Sequence, residues 1–89
     1  MKITAQSNWV LTLRNNLPIL QRRIKTNDFS HGAGIIKSVI DIANKMNHHP
    51  DSIVLESDHI IITLTTHDSK AVTKKDEDLA SEIDKLVSL

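Results

Sequence analysis

A two-layer α+β fold, with a four-stranded antiparallel sheet and helices packed on one face, is what the order of patterns along these 89 residues predicts. Two pairs of strand-like segments are each joined by a short polar turn. Each pair is followed by a segment whose apolar residues form one stripe at helical spacing, and such a stripe needs a partner surface to bury it. The chain has no repeats, linkers or low-complexity segments, so residues 1–89 read as a single domain.

The elements follow in order. Trp9, Leu11 and Leu13 alternate with Val10, Thr12 and Arg14, the rhythm of a strand. Asn15-Asn16 reads as a tight turn, because Asn tolerates positive φ. Pro18 falls where a missing N–H matters least, and Ile19 to Lys25 form the returning strand. The charged run Gln21-Arg22-Arg23 marks that strand as an edge or as a half-solvated face. Ser30 is the expected N-cap of the first helix, whose stripe is Ile36, Val39, Ile40, Ala43 and Met46. Gly32 and Gly34 weaken its first turn and favour a later start. Asn47 suits a left-handed helix end and Pro50 forbids continuation.

Ile53-Val54-Leu55 and Ile60-Ile61-Ile62-Thr63-Leu64 are β-branched runs joined by Ser57-Asp58, an antiparallel hairpin. Ile60, Ile62 and Leu64 share one face; His59, Ile61, Thr63, Thr65 and His67 share the other if the strand stays regular to its end. Thr73 and Asp76 have the spacing of a capping box, and Leu79, Ala80, Ile83, Leu86 and Val87 make the second helical stripe.

Composition narrows the function. Eleven basic and eleven acidic side chains cancel, so no global field attracts nucleic acid or an anionic membrane. Trp9 and Phe29 are the only aromatics, too few for a base-stacking platform. Without cysteine there is no disulfide, thiolate nucleophile or cysteine-held zinc. Met1 to Gln6 lack the apolar core of a leader peptide, and no apolar run reaches membrane-spanning length, so a cytoplasmic protein is expected. A chain this short buries only about 60–65% of its unfolded surface, which makes self-association a reasonable expectation.

The chemistry concentrates in His48-His49-Pro50 and in Thr66-His67. Two imidazoles lie at a helix-to-strand junction and a third at a strand end one hairpin later. If the hairpin runs back towards the helix end, the three meet, and imidazole moves protons near neutral pH. The simpler reading has one histidine capping the helix and another on the surface. Three imidazoles also suit a catalytic zinc, but adjacent histidines point apart and no carboxylate stands at helical metal-site spacing, so no metal is expected. No serine lies in a nucleophile-elbow sequence. His31 and His59 read as structural or exposed, and Lys74-Lys75 and Gln21-Arg22-Arg23 as solvated faces.

Lys45-Met46-Asn47-His48-His49-Pro50, then Ile61 to His67, then Thr73-Lys74-Lys75-Asp76-Glu77-Asp78-Leu79-Ala80 together resemble the signature of the pterin-4a-carbinolamine dehydratase family. Asp76 stands nine positions after His67, as in that signature. Trp9 and Asn27-Asp28-Phe29 match the family's Trp at the first strand and Asp-Phe before the long helix, so the resemblance spans about residues 9–87.

The resemblance implies the same four-stranded sheet with helices on one side, and homodimers, often joined sheet edge to sheet edge, or homotetramers. It implies removal of water from a 4a-hydroxytetrahydropterin to give quinonoid dihydropterin, which recycles the pterin used by aromatic amino acid hydroxylases, with no cofactor. It implies a catalytic set of His48, His49 and His67, with His49 nearest the leaving hydroxyl and the other two as acid/base or orienting groups. Asn47, Thr65, Thr66 and Asp68 fall where the family contacts the pterin ring, and Asp76 is assigned to the same neighbourhood, either orienting a histidine or capping its helix.

The chain also departs from the family. Asn44 replaces a frequent Glu, Ser57 replaces an aromatic, the second hairpin is one residue longer than in animal members, and Asp68 to Val72 lack the usual glycine. Eight residues before Trp9 leave no room for the N-terminal helix of longer members. Asn44 and Ser57 motivate a rival reading, a catalytically weak member serving as an oligomeric protein-interaction module. Animal members of the family do act as dimerisation cofactors of a homeodomain transcription factor.

Overall fold

A computed structural model describes residues 8–87 of the chain. The readings made on Met1 to Gln6, and on an N-terminal helix, lie outside the described residues. Strands β1 (Val10–Arg14) and β2 (Leu17–Lys25) precede helix α1 (Phe29–Met46); β3 (Ser52–Leu55) and β4 (His59–Leu64) precede helix α2 (Lys74–Val87). The four strands form one antiparallel sheet in the order β1-β2-β4-β3. That is the α+β architecture expected from the pattern of elements.

The β1–β2 turn uses Asn15 (φ 54°) and Asn16 (φ 66°), both left-handed, as a hairpin matching strand twist demands. The inner face of the sheet carries Leu20 and Ile24 from β2 opposite Leu64 and Ile60 from β4, with Ile62 between. Val39 and Ala43 of α1 and Leu79, Ala80 and Ile83 of α2 close over this row. Each fully buried Leu or Ile there contributes on the order of 1.5–3 kcal/mol. This shared row holds the two layers together more than helix propensity does.

Four expectations need correction. β2 is not an edge, because β4 pairs along its other side; the edges are β1 and β3. Arg22 is not part of a solvated face. It sits in the inner row between Leu20 and Ile24, opposite Ile62, and its guanidinium reaches Asp84 of α2, which also accepts the Trp9 indole N–H at 2.8 Å. A charge can occupy the inner row because its partner waits on the helix above it. The cap of α1 is Asp28 rather than Ser30: its carboxylate accepts the His31 N–H at 2.8 Å, and the helix starts at Phe29 without delay. Gly32 has a packing role instead of marking a late start. A Cβ there would lie 2.7 Å from Leu55 Cδ1 and 3.2 Å from Ile60 Cγ2, so a side chain at this position would push the Leu55 tip aside and crowd Ile60.

Candidate active site

Helix α1 stops as its sequence requires. Asn47 adopts φ 55°, its N–H bonds back to the last helical carbonyls, and the His48 N–H reaches the Ala43 carbonyl at 3.1 Å. The chain therefore turns sharply at the helix end and carries His48 towards the start of α2. There His48 Nε2 lies 2.6 Å from Asp76 Oδ1. The other oxygen of Asp76 accepts the Thr66 hydroxyl at 2.8 Å and the Thr73 N–H at 2.9 Å. Asp76 is completely buried and His48 is 13% exposed. One carboxylate thus caps α2 and orients an imidazole at the end of α1. The Thr73 hydroxyl turns to Thr66, at 2.8 Å, and the Asp76 N–H bonds the Thr73 carbonyl, so the capping box forms in one direction only.

His49 projects to the exposed side of the same junction, with Nε2 2.8 Å from Asn44 Oδ1. The residue that replaces the frequent Glu is therefore this histidine's hydrogen-bond partner. His67 lies beyond the end of β4. The strand stops at Leu64; Thr66 forms an isolated bridge with Ala71, and His67 opens a 3-10 turn over His67–Ser69. Lys70 closes that turn at φ 51°, the left-handed position a glycine would fill. His67 Nε2 lies 2.5 Å from Asp51 Oδ1, and Arg14 pairs with the second Asp51 oxygen. The Arg14 guanidinium holds the Asp51 carboxyl below its ordinary value, and His67 acts in the same direction against the opposing effect of burial.

All three rings share one arrangement. Nε2 is bonded to an oxygen of the protein, and Nδ1 has no partner among the described residues. His48 lines a depression of about 260 Å³ with Met46, Asn47, Lys75 and Asp78. His67 lines another, of about 160 Å³, with Arg14, Asn15, Leu17, Ile19, Thr65 and Lys70. The two are linked through protein, from His48 through Asp76 to Thr66, the neighbour of His67. Thr65 is buried and gives its hydroxyl to the Pro18 carbonyl at 3.0 Å, while Asp68 is exposed on the turn. Among the described residues no three His, Cys, Asp or Glu side chains form a group able to hold a metal, and no helix is long and apolar enough to cross a membrane. His31 is exposed and accepts the Asn27 N–H; His59 pairs with Asp58.

Asp51 and Arg14 are site residues that the sequence reading missed. Asp51 follows His49 by two positions, which was a usable signal; Arg14 is 37 residues from its partner and gave none.

These features define the class: a small α+β domain with acid/base side chains at its helix and strand ends, His48 and His67 lining two separate depressions and His49 neither. The sequence profile described as pterin 4 alpha carbinolamine dehydratase matches residues 1–86, and the chain belongs to that family. It is 34% identical over 70 residues to a provisionally named pterin-4-alpha-carbinolamine dehydratase of Sulfurisphaera tokodaii, covering 79% of this chain and 74% of that protein. A relative from Picosynechococcus with the same provisional name is 36% identical over 67 residues, 75% of this chain and 72% of that one. The fold matches the crystal structure of a transcriptional coactivator/pterin dehydratase from Brucella melitensis with a TM-score of 0.82 and 25% identity, over 94% of this chain and 86% of that one. It also matches a pterin dehydratase-like protein identified as a RuBisCO assembly factor in the alpha-carboxysome, with a TM-score of 0.73 over 91% of this chain and 90% of that one; at 16% identity this likeness concerns the fold alone.

Proposed function

We propose that this protein dehydrates a 4a-hydroxytetrahydropterin to quinonoid dihydropterin by histidine acid/base catalysis. The observation that supports it is the common state of the three rings: each is oriented through Nε2 and keeps Nδ1 for a substrate. An imidazole fixed in this way is a proton carrier with a defined direction.

In the reaction the C4a–O bond breaks and the hydroxyl leaves as water with a proton supplied by a protonated ring, which we assign to His49. The electron pair of the adjacent ring N–H bond forms the C4a=N double bond as that proton passes to a second imidazole, His48 or His67. Protons balance, and no redox partner is needed. Asn47, Thr65, Thr66 and Asp68 border the pterin. The Thr66 hydroxyl is held by Asp76, its N–H and carbonyl are bonded within the turn to Ala71 and Ser69, and the Thr65 hydroxyl is held by Pro18, so the threonine methyls are the parts left for the substrate. Asp76, enclosed by His48, Thr66 and Thr73, serves this site by aiming His48. In this reading the protein works in the cytoplasm without a cofactor, in support of a pterin-using hydroxylase.

The test is an assay with freshly generated 4a-hydroxytetrahydropterin. Turnover above the spontaneous rate, lost in His49→Ala, supports the proposal. No acceleration, or equal turnover by that variant, overturns it.

A second reading rests on β1. Val10, Leu11 and Leu13 are all more than half exposed on an edge strand with unpaired backbone groups. Pairing with β1 of a second copy would cover them and give a homodimer, or a homotetramer through a further surface. The rival to catalysis is that such an oligomer serves as a protein-interaction module. It requires a stoichiometric partner whose binding survives loss of the three histidines.

A further inference from the structure

We propose that Asp51, clamped by Arg14, is the positioning residue of His67. This deepens the dehydratase reading and rests on it.

His67 needs such a device more than the other two histidines do. Its side chain is 74% exposed and stands on a three-residue turn, so packing does not select its rotamer. A proton carrier that sweeps through several rotamers spends little time in a reactive geometry. The only described partner of its ring is Asp51 Oδ1, at 2.5 Å.

Asp51 is fixed well enough to act as an anchor. Its N–H bonds the Thr63 carbonyl at 2.7 Å, one step before the ladder in which Ser52 pairs with Thr63. Its carboxylate is only 13% exposed, and its second oxygen is taken by Arg14 at the end of β1. Three segments therefore converge on one carboxylate: the end of β1, the entry to β3 and the exit from β4. The charged groups around the His67 ring are Asp51, bonded to it; Arg14 and Lys70, which line the depression that His67 lines; and Asp68 on its own turn. The carboxyl's lowered pKa fits a carboxylate that stays ionised as a fixed acceptor. With Nε2 committed to Asp51, Nδ1 is the nitrogen presented outwards.

The role differs from that of Asp76. Asp76 also caps a helix, so its loss disturbs the fold as well as a ring. The Asp51 side chain serves no helix cap, and the main-chain bond to Thr63 survives its truncation.

The test combines ring dynamics with kinetics. In protein labelled at the histidine rings, NMR relaxation should show an ordered His67 ring in the wild type and a disordered one in Asp51→Ala. Asp51→Asn, which keeps an acceptor oxygen, should restore part of the order. In the dehydratase assay Asp51→Ala should lower kcat about tenfold with KM nearly unchanged, as expected for lost orientation. In a His67→Ala background the same substitution should have no further effect, because Asp51 acts through His67. An equally ordered ring in Asp51→Ala overturns the proposal, as does a loss of kcat that multiplies with that of His67→Ala. If the wild type shows no dehydratase turnover, the proposed activity fails while the ring measurement still decides the positioning claim.

Discussion

Two histidine–aspartate pairs flank the end of the sheet, and they differ in depth. His48–Asp76 is closed: the carboxylate is fully buried and carries two further hydrogen bonds from Thr66 and Thr73. His67–Asp51 is open: the ring faces solvent and the carboxylate is shared with a half-exposed arginine. The same two residue types thus do different work. The closed pair ties the end of α1 to the start of α2, so orienting a ring and holding the fold are one act. The open pair crosses from β3 to the turn after β4 and costs the fold little if broken. Burial, more than residue identity, decides which pair is structural.

The strongest way to break this contrast is Asp76→Ala. Removing the carboxylate takes the partner from the Thr73 N–H and from the His48 ring and leaves the Thr66 hydroxyl only that of Thr73, which should cost about 3–5 kcal/mol. In a domain of this size that lowers Tm by on the order of 15 °C or more. Asp51→Ala should cost less than about 1 kcal/mol, because its arginine partner is half exposed. Equal losses in thermal melts would erase the distinction.

His67→Ala separates function from stability. Dehydratase turnover should fall by about 10²- to 10⁴-fold while Tm stays close to that of the wild type. His48→Ala should lower both, since it leaves Asp76 Oδ1 buried without its partner.

A smaller effect sharpens the open end. Lys70 holds a left-handed backbone at φ 51°, so Lys70→Gly should relieve strain and stabilise the protein by up to about 1 kcal/mol in denaturant unfolding. A loss of stability would mean that the lysine side chain contributes more than the backbone strain costs.

The smallest effect is at acid pH. The Asp51 carboxyl lies below its ordinary 3.8 in the folded state, chiefly through its hydrogen bond with Arg14. Its contribution is therefore present above that unfolded value and is lost as pH falls through the lower folded one. The stability gap between wild type and Asp51→Asn should shrink across that window in a pH series of urea unfolding curves. A gap that does not change with pH contradicts the ion pair.

Local signals were legible where both partners lie close in sequence. The Asn15-Asn16 turn, the Asn47 helix end and the Ile60/Ile62/Leu64 row were read directly, because each depends on neighbours or on a short period. The α1 cap was misread because Asn27, Asp28 and Ser30 are all cap-capable, and pattern alone does not rank them. Arg22 looked solvated because its partner Asp84 is 62 positions away. β1 showed a strand's alternation, yet Leu11 and Leu13 are exposed, because the pattern marks an apolar side and not what covers it. At the site, the histidines announced themselves by type, whereas the acceptors that orient them became visible only through distance.

The central claim is tested most directly by titrating the ring-labelled protein with a pterin that lacks the 4a hydroxyl and cannot react, while following the Nδ1 resonances of His48, His49 and His67. The account predicts that all three shift together along one saturable binding curve, as a single substrate touching three rings requires. A curve on which any of the three stays silent at saturation would contradict it.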